Sequence, residues 1–439
     1  MTMLSSPVGS DYRPSPTAAL AALTDAGVPV HLPGTDEYAA LTRTSNLVKA
    51  ITPAGVVAVR DAKDVSATLR IAAAAAVRVG VQGTGHGATE AMHDAILVST
   101  VALDEVTVHA DERWARVGAG VKWRAVLDAC APHGLAGLAG SSPDVGVVGY
   151  LTGGGLGPVA RTHGLASDTV RAFDVVTGDG VVRRASAVEN ADLFWGLRGG
   201  KGTLGIVTAV EIDLVEQATL YAGALWFDAD AAPAVIRTWS VWSSLLPEEG
   251  TTSFALMRLP DMPIFPEPLR ARTSLAVRFA WTGDPAVGAE MIQALRAVAA
   301  PVMDTVRVMP YVDLGDVHTD PIEPMPLYEQ HSLLADFGPE AAERLIGFFE
   351  VGPEFVEARG FGGGERNGSA GKCGGGAAGA REGFHRGEAG FEQQFFEFFM
   401  EEHIRDLPGT FCRGILILAA DLLELDDGSA AEDENEAHR

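Results

Sequence analysis

Two glycine-rich stretches fix where this chain must leave regular structure. The first, Gln82-Gly83-Thr84-Gly85-His86-Gly87, follows the short apolar run Val77-Arg78-Val79-Gly80-Val81. The second runs from Gly140-Ser141-Ser142-Pro143-Asp144-Val145-Gly146 through Gly149-Tyr150-Leu151-Thr152-Gly153-Gly154-Gly155-Leu156-Gly157. Glycine tolerates positive φ and carries no Cβ, so backbone N–H groups in such a stretch can converge on an anion with nothing in the way. A pyrophosphate fits that cradle, and His86 is placed to aim an imidazole at whatever the phosphate carries. On the first stretch alone, a tight strand-to-loop turn with a solvated histidine stands equally well, because short glycine patterns recur by chance. Two cradles in one domain point to a ligand with an extended spine.

Taken in order along the chain, these stretches resemble the FAD-linked oxidases of the p-cresol methylhydroxylase and vanillyl-alcohol oxidase superfamily, in the berberine bridge enzyme-like branch. Gln82 to His86 is similar to that branch's (R/Q)-x-G-G-H turn, with Thr84 in place of the first paired glycine. The stretch from Val145 to Gly157 matches V-G-V-x-G-Y-x-x-G-G-G-x-G. Asp192-Leu193-Phe194-Trp195-Gly196-Leu197-Arg198-Gly199-Gly200 and Gly202-Thr203-Leu204-Gly205-Ile206-Val207-Thr208 look like a further motif pair. The resemblance implies an α+β fold, a two-subdomain FAD-binding domain of the p-cresol methylhydroxylase type with an α/β substrate (cap) domain. It assigns FAD contacts to Gln82, Gly83, Thr84, Gly85, His86 and Gly87, to Ser141, Ser142, Val145, Gly146, Gly149, Gly153 and Gly154, and to Gly205, Ile206 and Val207. His86 would carry the covalent bond to the flavin 8α-methyl. Many relatives hold a cysteine that makes a second bond to flavin C6; Ser142 stands there, and a hydroxyl makes no such thioether, so a single link is expected.

A dinucleotide Rossmann fold competes for Gly153 to Gly157. It requires the glycines to follow the first strand of a βαβ unit and to lead to an acidic residue about twenty positions on. Asp174 and Asp179 fall near that distance, but in an apparent strand and its hairpin turn, so nicotinamide binding is disfavoured. A net charge of −25 disfavours nucleic acid and anionic membrane surfaces, which require clustered Lys and Arg. Three cysteines, Cys130, Cys373 and Cys412, give neither a paired framework nor a C-x-x-C spacing, so no disulfide scaffold and no metal site is expected. The N-terminus lacks a basic start with a long apolar core, and no stretch reaches about eighteen uninterrupted apolar residues, so the expected setting is cytoplasmic.

With 439 residues the chain divides, on its patterns, into a lead-in and helix (1–45), an FAD-binding domain (46–218), a cap domain (219–359) and an atypical tail (360–439). Helices are expected over 16–26, 62–76, 122–131, 285–300 and 339–349. Residues 360–390 are mostly Gly, Ala, Arg and Glu without the apolar periodicity of a packed core, 391–400 is crowded with phenylalanine, and the end is acidic. The shift at Gly360 points to a change of reading frame or to divergence, and the branch's terminal motifs are not found beyond it. Two functions follow: an FAD-dependent oxidase of an alcohol, sugar or secondary metabolite with molecular oxygen as acceptor, or a flavin-binding remnant without a complete active site. Tyr150 is the candidate catalytic base within the motifs, with Tyr328, Glu329 and His331 in the cap. His163 and Asp168 read as structural, Asp168 as a turn-closing residue.

Overall fold

The computed structural model describes residues 16–326, 328–334, 337–349, 355–360 and 414–420. Their strands, in chain order, begin with β1 (Val30–His31), β2 (Gly55–Ala58), β3 (Val79–Gln82) and β4 (Ile96–Ser99), which form a four-stranded sheet in the order β1-β2-β4-β3. β4 runs parallel to both β2 and β3, and the connection from β2 to β3 passes through the helix Ala62–Ala74. Asp61 starts that helix by accepting from the backbone N–H groups of Lys63 and Asp64. Its Val65 and Ala72 pack with Leu20 and Leu23 of the helix Pro16–Asp25 over Val57, Ile96 and Val98. Because β3 is parallel to its neighbour, its C-terminal end opens into a loop rather than a hairpin, and the first glycine stretch begins there.

A second sheet of five strands, in the order β5-β6-β10-β8-β9, contains β5 (Val106–His109), β6 (Trp114–Gly118), β8 (Val170–Val176), β9 (Val182–Ser186) and β10 (Ile206–Asp213). The short β7 (Leu135–Ala136) pairs with β11 (Val215–Glu216) beside it. The β10–β8 register shifts between Val207 and Ala209. At that bulge the Thr208 carbonyl accepts from Ala119 N (3.1 Å), and Ala119 in turn supports the first glycine loop. Trp123, fully buried, anchors the helix Trp123–Cys130 against this sheet.

The third sheet has eight strands: β12 (Thr219–Asp228), β13 (Gly250–Leu259), β14 (Arg272–Trp281), β15 (Met303–Asp304), β16 (Arg307–Pro310), β17 (Tyr328–Leu334), β18 (Phe355–Gly360) and β19 (Gly414–Ala420). Their order is β15-β12-β14-β13-β18-β19-β17, with β16 also on β12. Leu225, Phe227, Phe254, Leu275, Val277 and Phe279 face one way and pack under the helices Ala232–Leu245 and Pro339–Phe349. The intervening residues of the same strands, including Thr251, Ser253 and Arg278, lie on the opposite face by strand alternation.

The helix expected over 285–300 is two pieces, Pro285–Met291 and Gln293–Arg296, with Ile292 between them at φ −73°, ψ −12°. Gly288 lets the first piece lie close, since a Cβ there would sit 2.7 Å from the Trp281 ring. The tail lies outside the described residues apart from Gly360 and β19, whose run Gly414-Ile415-Leu416-Ile417-Leu418-Ala419-Ala420 is seated between β18 and β17. The phenylalanine-crowded segment 391–400 lies wholly outside them. Among the described residues no helix is long and apolar enough to cross a membrane, and no group of His, Cys, Asp and Glu could hold a metal ion.

Candidate functional site

The loop that leaves β3 is braced from behind. The buried Gln82 amide donates from Nε2 to the carbonyls of Leu41 (2.9 Å) and Arg43 (3.2 Å), and Ser45 N donates to Gly85 O. Gly85 sits at φ +85°, where a Cβ would come within 2.7 Å of the Arg43 carbonyl, so this turn requires glycine twice over. Thr84 Oγ1 lies 3.0 Å from His86 Nδ1, and the ring is exposed at the tip of the loop.

The second glycine stretch docks on the start of the helix Trp123–Cys130. Trp123 N donates to Val145 O (3.0 Å) and Arg124 N to Pro143 O (2.8 Å). Ser142 Oγ accepts from Asp144 N, and Lys122 Nζ pairs with Asp144 Oδ1 at 2.6 Å. Thr84 packs on Gly146, whose Cβ would stand 3.1 Å from Thr84 Cγ2, so the two stretches meet at this contact. His86 feels both members of the ion pair. Although the residue is exposed at its surface, partial desolvation lowers its pKa, Asp144 opposes that and Lys122 reinforces it.

The third stretch closes the group from β10. Gly205, at φ +154°, lies so near Val176 that a Cβ would be 2.6 Å from its carbonyl. Ile206 and Val207, both buried, pair with Val176 and Val175. Gly202 approaches Val81 of β3, and Lys201 Nζ donates to Gly149 O at 2.9 Å. All three sequence-identified stretches therefore converge on one region. Gly87, Gly149 and Gly154 have nothing within 4 Å of where a Cβ would stand, which leaves bare backbone facing open space.

Tyr150, the candidate base, packs inside the second stretch. Its ring meets Trp123 edge-on at 5.8 Å, and a Cβ at Gly140, Gly155 or Gly157 would strike it, so glycine backbone surrounds it on three sides. Tyr328, Glu329 and His331 are backbone positions on β17. Asp168 Oδ2 accepts from Leu165 N and closes the turn there. His163 is desolvated, which lowers its pKa, while a hydrogen bond with Gln217 opposes the shift.

Patterns of residue type left Arg161 unmarked. Its guanidinium donates to the carbonyls of Leu246 (2.7 Å) and Gly250 (2.9 Å), and neighbouring Thr162 donates to Glu248 O. The third sheet is thereby tied to the segment that follows the second cradle. Between them lies a narrow cleft of about 20 Å³ bordered by Gly157, Thr251, Ser253, Arg278 and His318. That volume holds about one water. A larger depression of about 440 Å³ lies at the β8–β9 hairpin, lined by Thr177, Asp179, Arg183, Asn190 and Asp192, with Thr177 also against Gly205.

Residues 53–186 match the family model described as FAD binding domain. Residues 53–186 are thus similar to an FAD binding domain. Curated relatives include the FAD-dependent monooxygenase macF of Penicillium terrestre, 33% identical over 193 residues, which are 43% of this chain and 37% of that protein. The FAD-dependent monooxygenase FUP4 of Fusarium proliferatum is 34% identical over 178 residues, 40% of this chain and 34% of that protein. The chain thus spans little more than a third of these relatives. Among solved structures, 6-hydroxy-D-nicotine oxidase from Arthrobacter nicotinovorans has a TM-score of 0.68 at 22% identity, covering 76% of each chain. The berberine bridge enzyme-like protein 1 of Physcomitrella patens has a TM-score of 0.69 at 18% identity, covering 92% of this chain and 83% of that one. At these identities the likeness establishes the fold alone.

The residues present fit the cofactor that the FAD binding domain implies. The open backbone at Gly87, Gly149 and Gly154 offers a surface a dinucleotide could cover. Asp144, the acidic residue of the second stretch, is neutralised by Lys122.

Proposed function

We propose that this chain is an FAD-dependent oxidoreductase that takes hydride from an alcohol, sugar or secondary-metabolite carbon, with molecular oxygen as acceptor and a single covalent link through His86. The observation that carries the reading is the exposed imidazole of His86 on a braced glycine loop, inside a segment that matches an FAD binding domain, with desolvation favouring the neutral ring. Bound FAD supplies a ring that accepts hydride. The chain's own part is to hold and aim: glycine N–H groups of the first two stretches are suited to the diphosphate. A neutral imidazole offers a lone pair for the link, which a protonated ring would not. Ser142 has no thiol, consistent with one link rather than two. The polar face of β13 and β14, with Thr251, Ser253 and Arg278 opposite the second cradle, is suited to the substrate side. The relatives' names, monooxygenases among curated proteins and oxidases of sugars and alkaloids among structures, are in keeping with this class.

The test is the visible spectrum of the purified protein before and after acid precipitation. Yellow colour retained in the pellet, and moved to the supernatant by His86→Ala, is the expected result. Colour released by the unsubstituted protein would remove the covalent link, and a colourless protein would leave the remnant reading in its place.

A further inference from the structure

We propose that Lys201 is a cofactor-binding residue, the cation that pairs with the diphosphate of FAD. The inference rests on the FAD-dependent reading above. Lys201 interrupts a glycine run, Gly199-Gly200-Lys201-Gly202, and sits at φ +56°, a left-handed conformation that glycine adopts freely and a lysine adopts at a cost. Something at this position therefore favours a side chain over the residue that suits the backbone. That side chain reaches across to the second cradle, where Nζ donates to Gly149 O at 2.9 Å and crowds the space beside Gly153. A Cβ on Gly153 would collide with the ammonium, so the two positions are matched.

The ammonium has three N–H donors, and one is used. Among the described residues it makes no ion pair with a carboxylate, unlike Lys122 with Asp144. Lys201 keeps part of its surface exposed, and partial desolvation by the adjoining loops lowers its pKa with no counter-charge opposing the shift. Gly149, whose carbonyl it bonds, has open space where a Cβ would stand. The net charge of −25 repels free anions in general, so the partner is an anion that the fold itself binds. Within FAD, the diphosphate carries charge in every redox state. The ammonium would exchange part of its contact with the Gly149 carbonyl for a phosphate oxygen, a charge-assisted bond about twice as strong as a neutral one.

Flavin binding to the full chain carrying His86→Ala, which removes any covalent link, tests this by fluorescence quenching with FAD and with riboflavin, which lacks phosphate. Adding Lys201→Met is expected to raise the Kd for FAD by about 10- to 100-fold, to leave riboflavin within about twofold, and to flatten the salt dependence of FAD binding. Lys201→Arg should recover most of the loss. An FAD Kd unchanged by Lys201→Met overturns this inference alone. A loss that is equal for riboflavin also overturns it, since the defect would then lie in the pocket rather than at the phosphates. If the Lys201 protein binds neither flavin, the cofactor reading falls, and this inference with it.

Discussion

Gly149→Ala separates a residue kept for the fold from one kept for a ligand. Gly149 lies inside the helix Val147–Leu151, where glycine costs about 0.5–1 kcal/mol relative to alanine. The position has no neighbour within 4 Å of the added Cβ, so the folded chain meets no clash. The substitution should therefore stabilise the protein by about 0.5–1 kcal/mol, a rise in Tm of roughly 1–4 °C for a domain of this size. The same methyl group enters the open space assigned to FAD. Inserting a methyl into an otherwise well-packed contact costs about 1–3 kcal/mol, which at 1.4 kcal/mol per decade is about 5- to 150-fold in Kd. Thermal melts of the flavin-free His86→Ala protein, followed by FAD titration of the same samples, read both quantities. A protein that gains stability and loses FAD affinity is the expected outcome. Unchanged affinity would show that the face at Gly149 is not a cofactor face, and a drop in Tm would show that the space is not open.

Arg161→Ala should lose about 3–6 kcal/mol in urea unfolding, two charge-assisted bonds at about 1.5–3 kcal/mol each, and Arg161→Lys about half of that; a loss below about 1 kcal/mol would remove the clamp between cradle and cap sheet. Burial depresses the folded-state pKa of His163 below its unfolded value near 6.5, so its contribution to stability is complete above pH 6.5 and is lost as pH falls through the folded pKa. His163→Gln should flatten that acid-side slope in a pH series of melts, and an unaltered slope would assign the pH dependence elsewhere. Tyr150→Phe should change turnover less than about threefold, because loss of a general base costs about 10²- to 10⁴-fold; a loss in that higher range would restore Tyr150 as the base.

The cradles were legible in the sequence because glycine is a statement about backbone: no other residue fits Gly85, just after β3, or Gly205, just before β10. The strands and the helix Ala62–Ala74 were legible for a similar reason, since a local period and an Asp cap suffice to mark them. What one segment does for another far along the chain was not. Arg161 reads as an ordinary surface arginine until β13 and its approach supply the carbonyls of Leu246 and Gly250. Gln82, read as a cofactor contact, donates to Leu41 and Arg43, and that role depends on a segment about forty residues earlier. The division of the helix at Ile292 likewise reflects the fit of Gly288 under Trp281, which alanine-rich periodicity does not carry. Lys201 did leave a signal, a charged residue where a glycine run has no local use for one.

Thr84 bears on which atom of His86 is available for the link. A glycine at this position, as the branch motif has it, could make no side-chain bond, whereas Thr84 Oγ1 engages Nδ1 at 3.0 Å. Either tautomer leads to the same exposed atom. With the proton on Nδ1 the ring donates to Thr84 and Nε2 carries the free lone pair; with the hydroxyl donating to Nδ1, Nε2 carries the proton and must release it before bonding. The contact of Thr84 with Gly146 holds the hydroxyl in place, so the ring is oriented before any cofactor arrives. The flavin peptide released by proteolysis should therefore be linked through Nε2, which NMR of the imidazole distinguishes from an Nδ1 link. Thr84→Ala frees the ring to rotate and should lower the fraction of flavin retained in the acid pellet while total flavin is unchanged. An Nδ1-linked peptide, or full retention in Thr84→Ala, would mean that the threonine does not orient the ring.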